Sequence, residues 1–157
     1  MSRHPDKSKS TDFALSRQSL RRLEGVHPDL VRIVKNAITI TMVDFGVGEG
    51  LRTVDRQRIL VNSGASSSMN SRHLTGHAVD LVAYIGNQVS WDWPLYYKIA
   101  DAMKTAAFDM DVGLSWGGDW ATLKDGPHFQ LSWVRYPLVP LQKKRSKSPV
   151  NSSLTGR

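Results

Sequence analysis

The segment Ala78-Val79-Asp80-Leu81-Val82-Ala83-Tyr84 is a β-branched run with a single carboxylate inside it. Such a run predicts a strand. Side chains alternate across a strand, so Asp80 falls on the face opposite Val79 and Leu81. A fold that buries the apolar face therefore holds a carboxylate on the other one. Just upstream, His73 stands seven residues before Asp80, on the far side of Gly76 and near the mouth of the predicted strand. An imidazole and a carboxylate are thus brought towards one end of one strand.

The rest of the chain supplies helices before this strand and short strands after it. Ser16 caps a short helix through Leu23 that Gly25 ends. Pro28 suits the first turn of a second helix, in which Leu30, Val34, Ala37 and Ile38 recur at helical spacing. Met42 to Val47 alternates as a strand and leads into Glu49-Gly50-Leu51-Arg52-Thr53. Thr53 caps a third helix to about Val61, and Asn62 to Asn70 is a small, flexible loop. Pro94 opens a helix to about Phe108 with Ile99, Ala102, Met103 and Ala106 facing inward. Gly113 to Trp116 and His128 to Trp133 read as two short strands joined through a Gly117-Gly118 turn. No internal repeat is present. The pattern predicts an α+β domain, a small antiparallel sheet with helices packed on it.

At 157 residues, 40% hydrophobic and 22% charged, the chain suits one globular domain. No stretch approaches the ~20 apolar residues of a membrane span, so no stable membrane insertion is expected. The N-terminus is basic without an apolar continuation, which predicts a protein made and held in a cytoplasm. Of the +7 formal charge, residues 141–157 contribute +5 and residues 1–12 contribute +1, so residues 13–140 carry only +1. This divides the chain into a flexible basic arm (1–12), a nearly neutral body (13–140) and a disordered basic tail (141–157). The tail suits an anionic polymer or is simply a solvated end. With its charge in the ends and no recognition motif, the chain is not expected to bind nucleic acid.

There is no cysteine, which confines any metal site to His, Asp and Glu. Of the five histidines, His4 lies in the arm and His27, before Pro28, starts a helix. His73 stands seven residues before Asp80, with His77 between them, and His128 begins a predicted strand three residues after Asp125. Two imidazoles and one carboxylate complete three sides of a tetrahedron and leave the fourth for water, as catalytic zinc requires.

Ser71-x-His73-x-x-Gly76-x-Ala78-x-Asp80, then Gly117-Gly118-Asp119-Trp120 and Asp125-x-Pro127-His128-Phe129, resemble the M15 family of zinc metallopeptidases. Within it they are similar to the L-alanyl-D-glutamate peptidase type of bacteriophage endolysins. Glu49-Gly50-Leu51-Arg52-Thr53 and the segment from Leu15 to Pro28 share the likeness, which spans about residues 14–132; the tail after Pro140 has no counterpart. The resemblance implies a hedgehog-like fold with zinc at the sheet, held by His73, Asp80 and His128. It also implies Asp125 as the catalytic acidic residue. Zinc lowers the pKa of its bound water from ~15.7 to ~7, and a nearby carboxylate can move that proton to the leaving amine.

The resemblance further implies a role for Arg52 beside the substrate, as oxyanion stabiliser or carboxylate clamp; the plain alternative is an ion pair. Ser71 either positions substrate or caps its loop. Asp119 is the rival to Asp125 as base, or else shapes a turn. His77 lies an odd number of residues from Asp80 and is expected to point away from it. Trp91, Trp93, Tyr96 and Tyr97 suit core packing, whereas Trp116, Trp120 and Trp133 stand nearer the metal motifs, and Trp116 is expected to contact substrate. The implied activity is zinc-dependent hydrolysis of the L-alanyl-D-glutamate bond in peptidoglycan stem peptides, lysing the host. The implied enzyme is a monomer that waits in the host cytoplasm until a holin releases it to the cell wall in the periplasm. The alternatives are a D-alanyl-D-alanine carboxypeptidase or dipeptidase, and a zinc-stabilised binding module without catalysis.

Overall fold

In the computed structural model, residues 12–138 are described. The expected basic tail, and the expected arm apart from Asp12, lie outside them. The helices begin where their caps predict. Ser16 Oγ accepts from Ser19 N ahead of α1 (Arg17–Arg22), and Pro28 occupies the first turn of α2 (Pro28–Ile40). Thr53 Oγ1 accepts from Arg56 N at the head of α3 (Val54–Asn62). The fourth helix, α4 (Trp93–Asp109), follows a hairpin. The strands are β1 (Asp44–Glu49), β2 (Ala78–Ile85), β3 (Gln88–Ser90), β4 (Leu114–Trp116) and β5 (His128–Leu131).

The sheet runs β1-β2-β5-β4, with β3 paired to the far end of β2, and every pairing is antiparallel. One face joins the core. Val79, Leu81, Ala83, Phe129 and Leu131, all fully buried, meet Leu30, Ile33 and Val34 of α2 and Ile99, Met103 and Ala106 of α4. The opposite face carries Asp80 on β2 and, directly across the ladder, His128 on β5. Side chains of α1 cover the outer edge of β1: Ser19 Oγ accepts from Val47 N at 2.9 Å, and Arg22 Nη1 donates to Val47 O at 2.9 Å. An exposed sheet edge is thereby closed.

Three local readings are corrected. The first strand begins at Asp44 instead of Met42. Thr41 Oγ1 donates to Val43 O and accepts from Val43 N, folding 41–43 into a turn that ends α2. The short strand β3 was not anticipated; Ile85 pairs with Gln88 across a two-residue Gly86-Asn87 turn, with Gly86 at φ +58°. The strands β4 and β5 do pair, but Gly117-Gly118 is no tight turn between them. A 3₁₀ turn at Gly117–Asp119 opens a longer segment, and Gly117 O accepts from both Trp120 N and Asp125 N.

Between α3 and β2 the chain makes a 3₁₀ turn at Arg72–Thr75 that Gly76 ends with φ +74°. A Cβ on Gly76 would strike the carbonyl of Gly25, and Gly76 O itself accepts from His27 N at 2.8 Å. Left-handed φ and backbone contact together demand glycine here. Gly76→Ala should therefore cost ~2 kcal/mol or more of unfolding free energy. Urea denaturation followed by circular dichroism checks this; a loss within ~0.5 kcal/mol would contradict it.

Candidate active site

The register of β2 against β5 sets the centre of the site. Asp80 Oδ1 lies 3.2 Å from His73 Nε2 and 3.3 Å from His128 Nδ1. The two imidazoles meet edge to face with centroids 5.1 Å apart. One ligand atom from each of the three residues lies within 4.8 Å of the others. His73 is buried by the 3₁₀ turn and His128 by β5, while Asp80 is a quarter exposed.

The outer nitrogens of both rings are committed. Gly50 O can only accept, so His73 Nδ1 donates to it, at 2.8 Å. His128 Nε2 faces Gln130 Oε1 at 2.8 Å. Neutral rings held this way turn bare Nε2 and Nδ1 lone pairs towards a carboxylate oxygen. Three electron-pair donors facing one point repel one another unless a proton or a metal cation lies among them. Imidazoles pinned from behind by carbonyl-type acceptors are also the usual setting of metal-bound histidine. The donor set therefore fits a divalent metal, with two imidazoles and one carboxylate leaving room for water.

The electrostatics agree. Burial works to raise the Asp80 carboxyl, but the hydrogen bonds at His128 and His73 outweigh it and hold it well below the ordinary range. For His128 burial pushes the other way, and Asp80 overcomes it, so the imidazole is raised. Asp125 is raised by burial and then by the negative charge of Asp80. No hydrogen bond or ion pair to the Asp125 carboxylate is present among the described residues, although its backbone is tied to Gly117 and His128.

These groups open into a cavity of about 680 Å³ lined also by Arg52, Ser71, Trp120, Gln130 and Trp133. Ser71 combines its two expected positions: it lines the cavity, and its Oγ accepts from His73 N at 3.2 Å, capping the turn. Trp120 sits tilted over His128 with centroids 5.1 Å apart. Asp119 is held at the surface by Lys104 Nζ at 2.7 Å, outside the cavity lining. His77 turns away from the cluster, packing against His27 and Tyr136, with Nδ1 2.8 Å from Thr75 Oγ1.

Two expectations change. Trp116 was expected to contact substrate, but it is 3% exposed, with Nε1 donating to Gly126 O at 2.6 Å. The pairing Trp116↔Phe129 puts it on the core face, whereas Ser115↔Gln130 puts Ser115 on the cavity face. Arg52 makes the ion pair that was its plain alternative. Nε and Nη2 grip both oxygens of Glu49, at 2.8 and 2.7 Å, and Nη1 donates to Gln57 Oε1 at 2.7 Å. Asp80 Oδ2 stands 3.8 Å from Nη2. The guanidinium thus braces the Asp80 carboxylate from behind, and its donors are largely spent.

Sequence reasoning missed Glu49, Gln57 and Gln130. Gln130 was findable, since two residues after His128 in a strand share its face. Glu49 reaches Asp80 because a bulge shifts the register after Val47, and Gly48 inside the strand was the signal that could have found it.

Residues 11–131 match the family model described as phage L-alanyl-D-glutamate peptidase. The chain is 39% identical over 105 residues to the L-alanyl-D-glutamate peptidase of Listeria phage A118, covering 67% of this chain and 36% of that protein. It thus spans about a third of that relative's length. It is 28% identical over 112 residues to the L-alanyl-D-glutamate peptidase of Escherichia phage T5, covering 69% and 82% respectively. Among solved structures, the Serratia marcescens L-Ala D-Glu endopeptidase ChiX superposes with a TM-score of 0.77. It shares 48% sequence identity with this chain, over 81% of it and 96% of the other.

His73→Ala, Asp80→Ala and His128→Ala should each lose bound metal, read by elemental analysis of protein purified with zinc. His77→Ala should retain it, since its ring lies on the other side of the turn. Full metal content in all three ligand variants would dismantle the assignment.

Proposed function

Because the chain belongs to the phage L-alanyl-D-glutamate peptidase family, we propose that it hydrolyses the L-alanyl-D-glutamate bond of peptidoglycan stem peptides with zinc as its metal. The observation that carries this reading is the convergence of His73, Asp80 and His128 beside an unpaired, half-buried Asp125. Zinc held by those three residues would supply Lewis acidity and lower the pKa of a water to ~7.

The chain's own groups do the rest. Asp125 takes the proton from the attacking water and hands it to the glutamyl amine as the C–N bond breaks. Its raised pKa suits it to return that proton. Gly50 O and Gln130 keep the two imidazoles in the tautomers that metal binding needs. Arg52 braces Asp80 and Glu49; that grip, more than an oxyanion contact, is its part in this reading. Ser71 contributes at the cavity wall, where substrate would lie.

Within this reading the enzyme is a monomer made in the host cytoplasm, reaches the cell wall through a holin, and lyses the host. Among the described residues no helix is long and apolar enough to cross a membrane.

Mass spectrometry of digested peptidoglycan tests the bond. New L-alanyl carboxyl ends and D-glutamyl amino ends, abolished by chelation and restored by zinc, are expected. Release of D-alanine would instead assign a D,D-carboxypeptidase, and binding without hydrolysis a non-catalytic module. Asp125→Asn should keep its zinc and lose about 10² to 10⁴ in turnover. Asp119→Asn, at its surface ion pair, should cost much less. An active Asp125→Asn enzyme with full zinc would remove Asp125 from the mechanism.

A further inference from the structure

Arg72 lies between Ser71 and His73; its carbonyl accepts from the backbone that ends the turn, but its side chain serves neither the metal cluster nor the cap. Its residue is 3% exposed. Nη2 donates to Tyr136 O at 2.6 Å and Leu131 O at 3.1 Å, with Ser132 O at 3.5 Å. Nε and Nη1 are buried and have no partner among the described residues. The Trp133 ring lies over the guanidinium, 3.8 Å from Cζ to centroid, while Trp133 as a whole is 45% exposed. Both residues line the cavity that holds the metal cluster.

The charges of that cavity make Arg72 an anomaly. Its lining carries the carboxylates of Glu49, Asp80 and Asp125 and the guanidinium groups of Arg52 and Arg72. Arg52 is spent on Glu49. Arg72 has no carboxylate within ion-pair distance among the described residues, and its Nε and Nη1 are left without acceptors there. A buried cation with unmet donors is costly and is seldom kept for packing alone. The carbonyl contacts at Nη2 hold the guanidinium in place, and the Trp133 face shields it by a cation–π contact that an anion can replace.

Resting on the peptidase reading above, we infer that Arg72, uncovered by rotation of the Trp133 ring, recognises the free carboxylate of the residue that supplies the amine of the cleaved bond. A glutamyl residue in a peptide keeps one carboxylate whichever of its two carboxyls is in amide linkage. Its amine is the leaving group here, so that carboxylate sits a few bonds from the reacting carbon. Arg52 is committed to Glu49, so Arg72 is the lining guanidinium with no carboxylate partner among the described residues, and it is the group left to meet an anionic substrate. The role is one of specificity, separate from proton transfer.

The test compares two soluble stem peptides, one with D-glutamate after L-alanine and one in which that residue's free carboxylate is replaced by its primary amide. The wild-type protein with zinc should favour the glutamyl peptide in kcat/KM by roughly 10- to 100-fold, the worth of a charge-assisted hydrogen bond. Arg72→Met should bring that ratio close to one, with most of the loss on the glutamyl peptide, and Arg72→Lys should recover part of it. If Arg72→Met does not fold by circular dichroism, Trp133→Ala reads the same contact and should raise the ratio by exposing the guanidinium. Equal cleavage of both peptides by the wild type overturns the inference and leaves the peptidase reading standing. So does a folded Arg72→Met variant with the wild-type ratio, or an unchanged ratio in Trp133→Ala. If the wild type cleaves neither peptide, the parent reading fails and this inference with it.

Discussion

The antiparallel register that sets Asp80 opposite His128 is the constraint from which the rest of the site follows. In that register β2 and β5 turn Val79, Leu81, Phe129 and Leu131 to the core while sending the carboxylate and the imidazole to the other face. A slip of one residue would put both polar groups into the apolar layer. The hydrophobic core therefore enforces the geometry of the site: the same burial that stabilises the sheet fixes which side chains meet across it. His73 completes the cluster from outside the sheet, and its position depends on the 3₁₀ turn that Gly76 closes in left-handed backbone.

Behind the cluster lies a second layer of polar contacts. Beyond the bulge after Val47, Glu49 stands beside Asp80, and the bidentate grip of Arg52 on Glu49 carries a positive charge to within 3.8 Å of Asp80 Oδ2. Gln57, fully buried, accepts from Arg52 and donates to Ser66 Oγ and Ser68 O. One glutamine side chain thus links the brace of Asp80 to the serine-rich loop that walls the cavity. Removing a partner from such a linked set leaves buried donors or acceptors unmet, so its members act together.

What could be read from the residues beforehand was what depends on local period and local caps. Asp80 facing away from Val79 and Leu81, the starts of all four helices and the inward stripe of α4 are consequences of neighbours in sequence. So is the turn of His77 away from Asp80. What could not be read depends on long-range pairing. Trp116 is near the metal motifs in sequence, yet its pairing with Phe129 sends it to the core. Arg52 was open between substrate and ion pair because residue type alone does not say whether Glu49, three residues before it, or a ligand takes the guanidinium. Thr41 delays β1 by a side-chain hydrogen bond that competes with the ladder, a habit of threonine that propensity alone does not locate.

The cluster also shows why its ligands need a cation while the fold does not. Each imidazole is pinned from behind, so the two inner nitrogens and Asp80 Oδ1 face one another at 3.2 and 3.3 Å. That arrangement is favourable only around positive charge, whether shared protons or a metal ion. The core beneath it owes nothing to the cluster: Leu30, Ile33, Val34, Ile99, Met103 and Ala106 pack against the sheet from the opposite side. Small zinc domains that lack such a core spend metal binding on folding itself. Here the apolar layer already holds Asp80 and His128 in place, so a metal bound there would not be spent on folding.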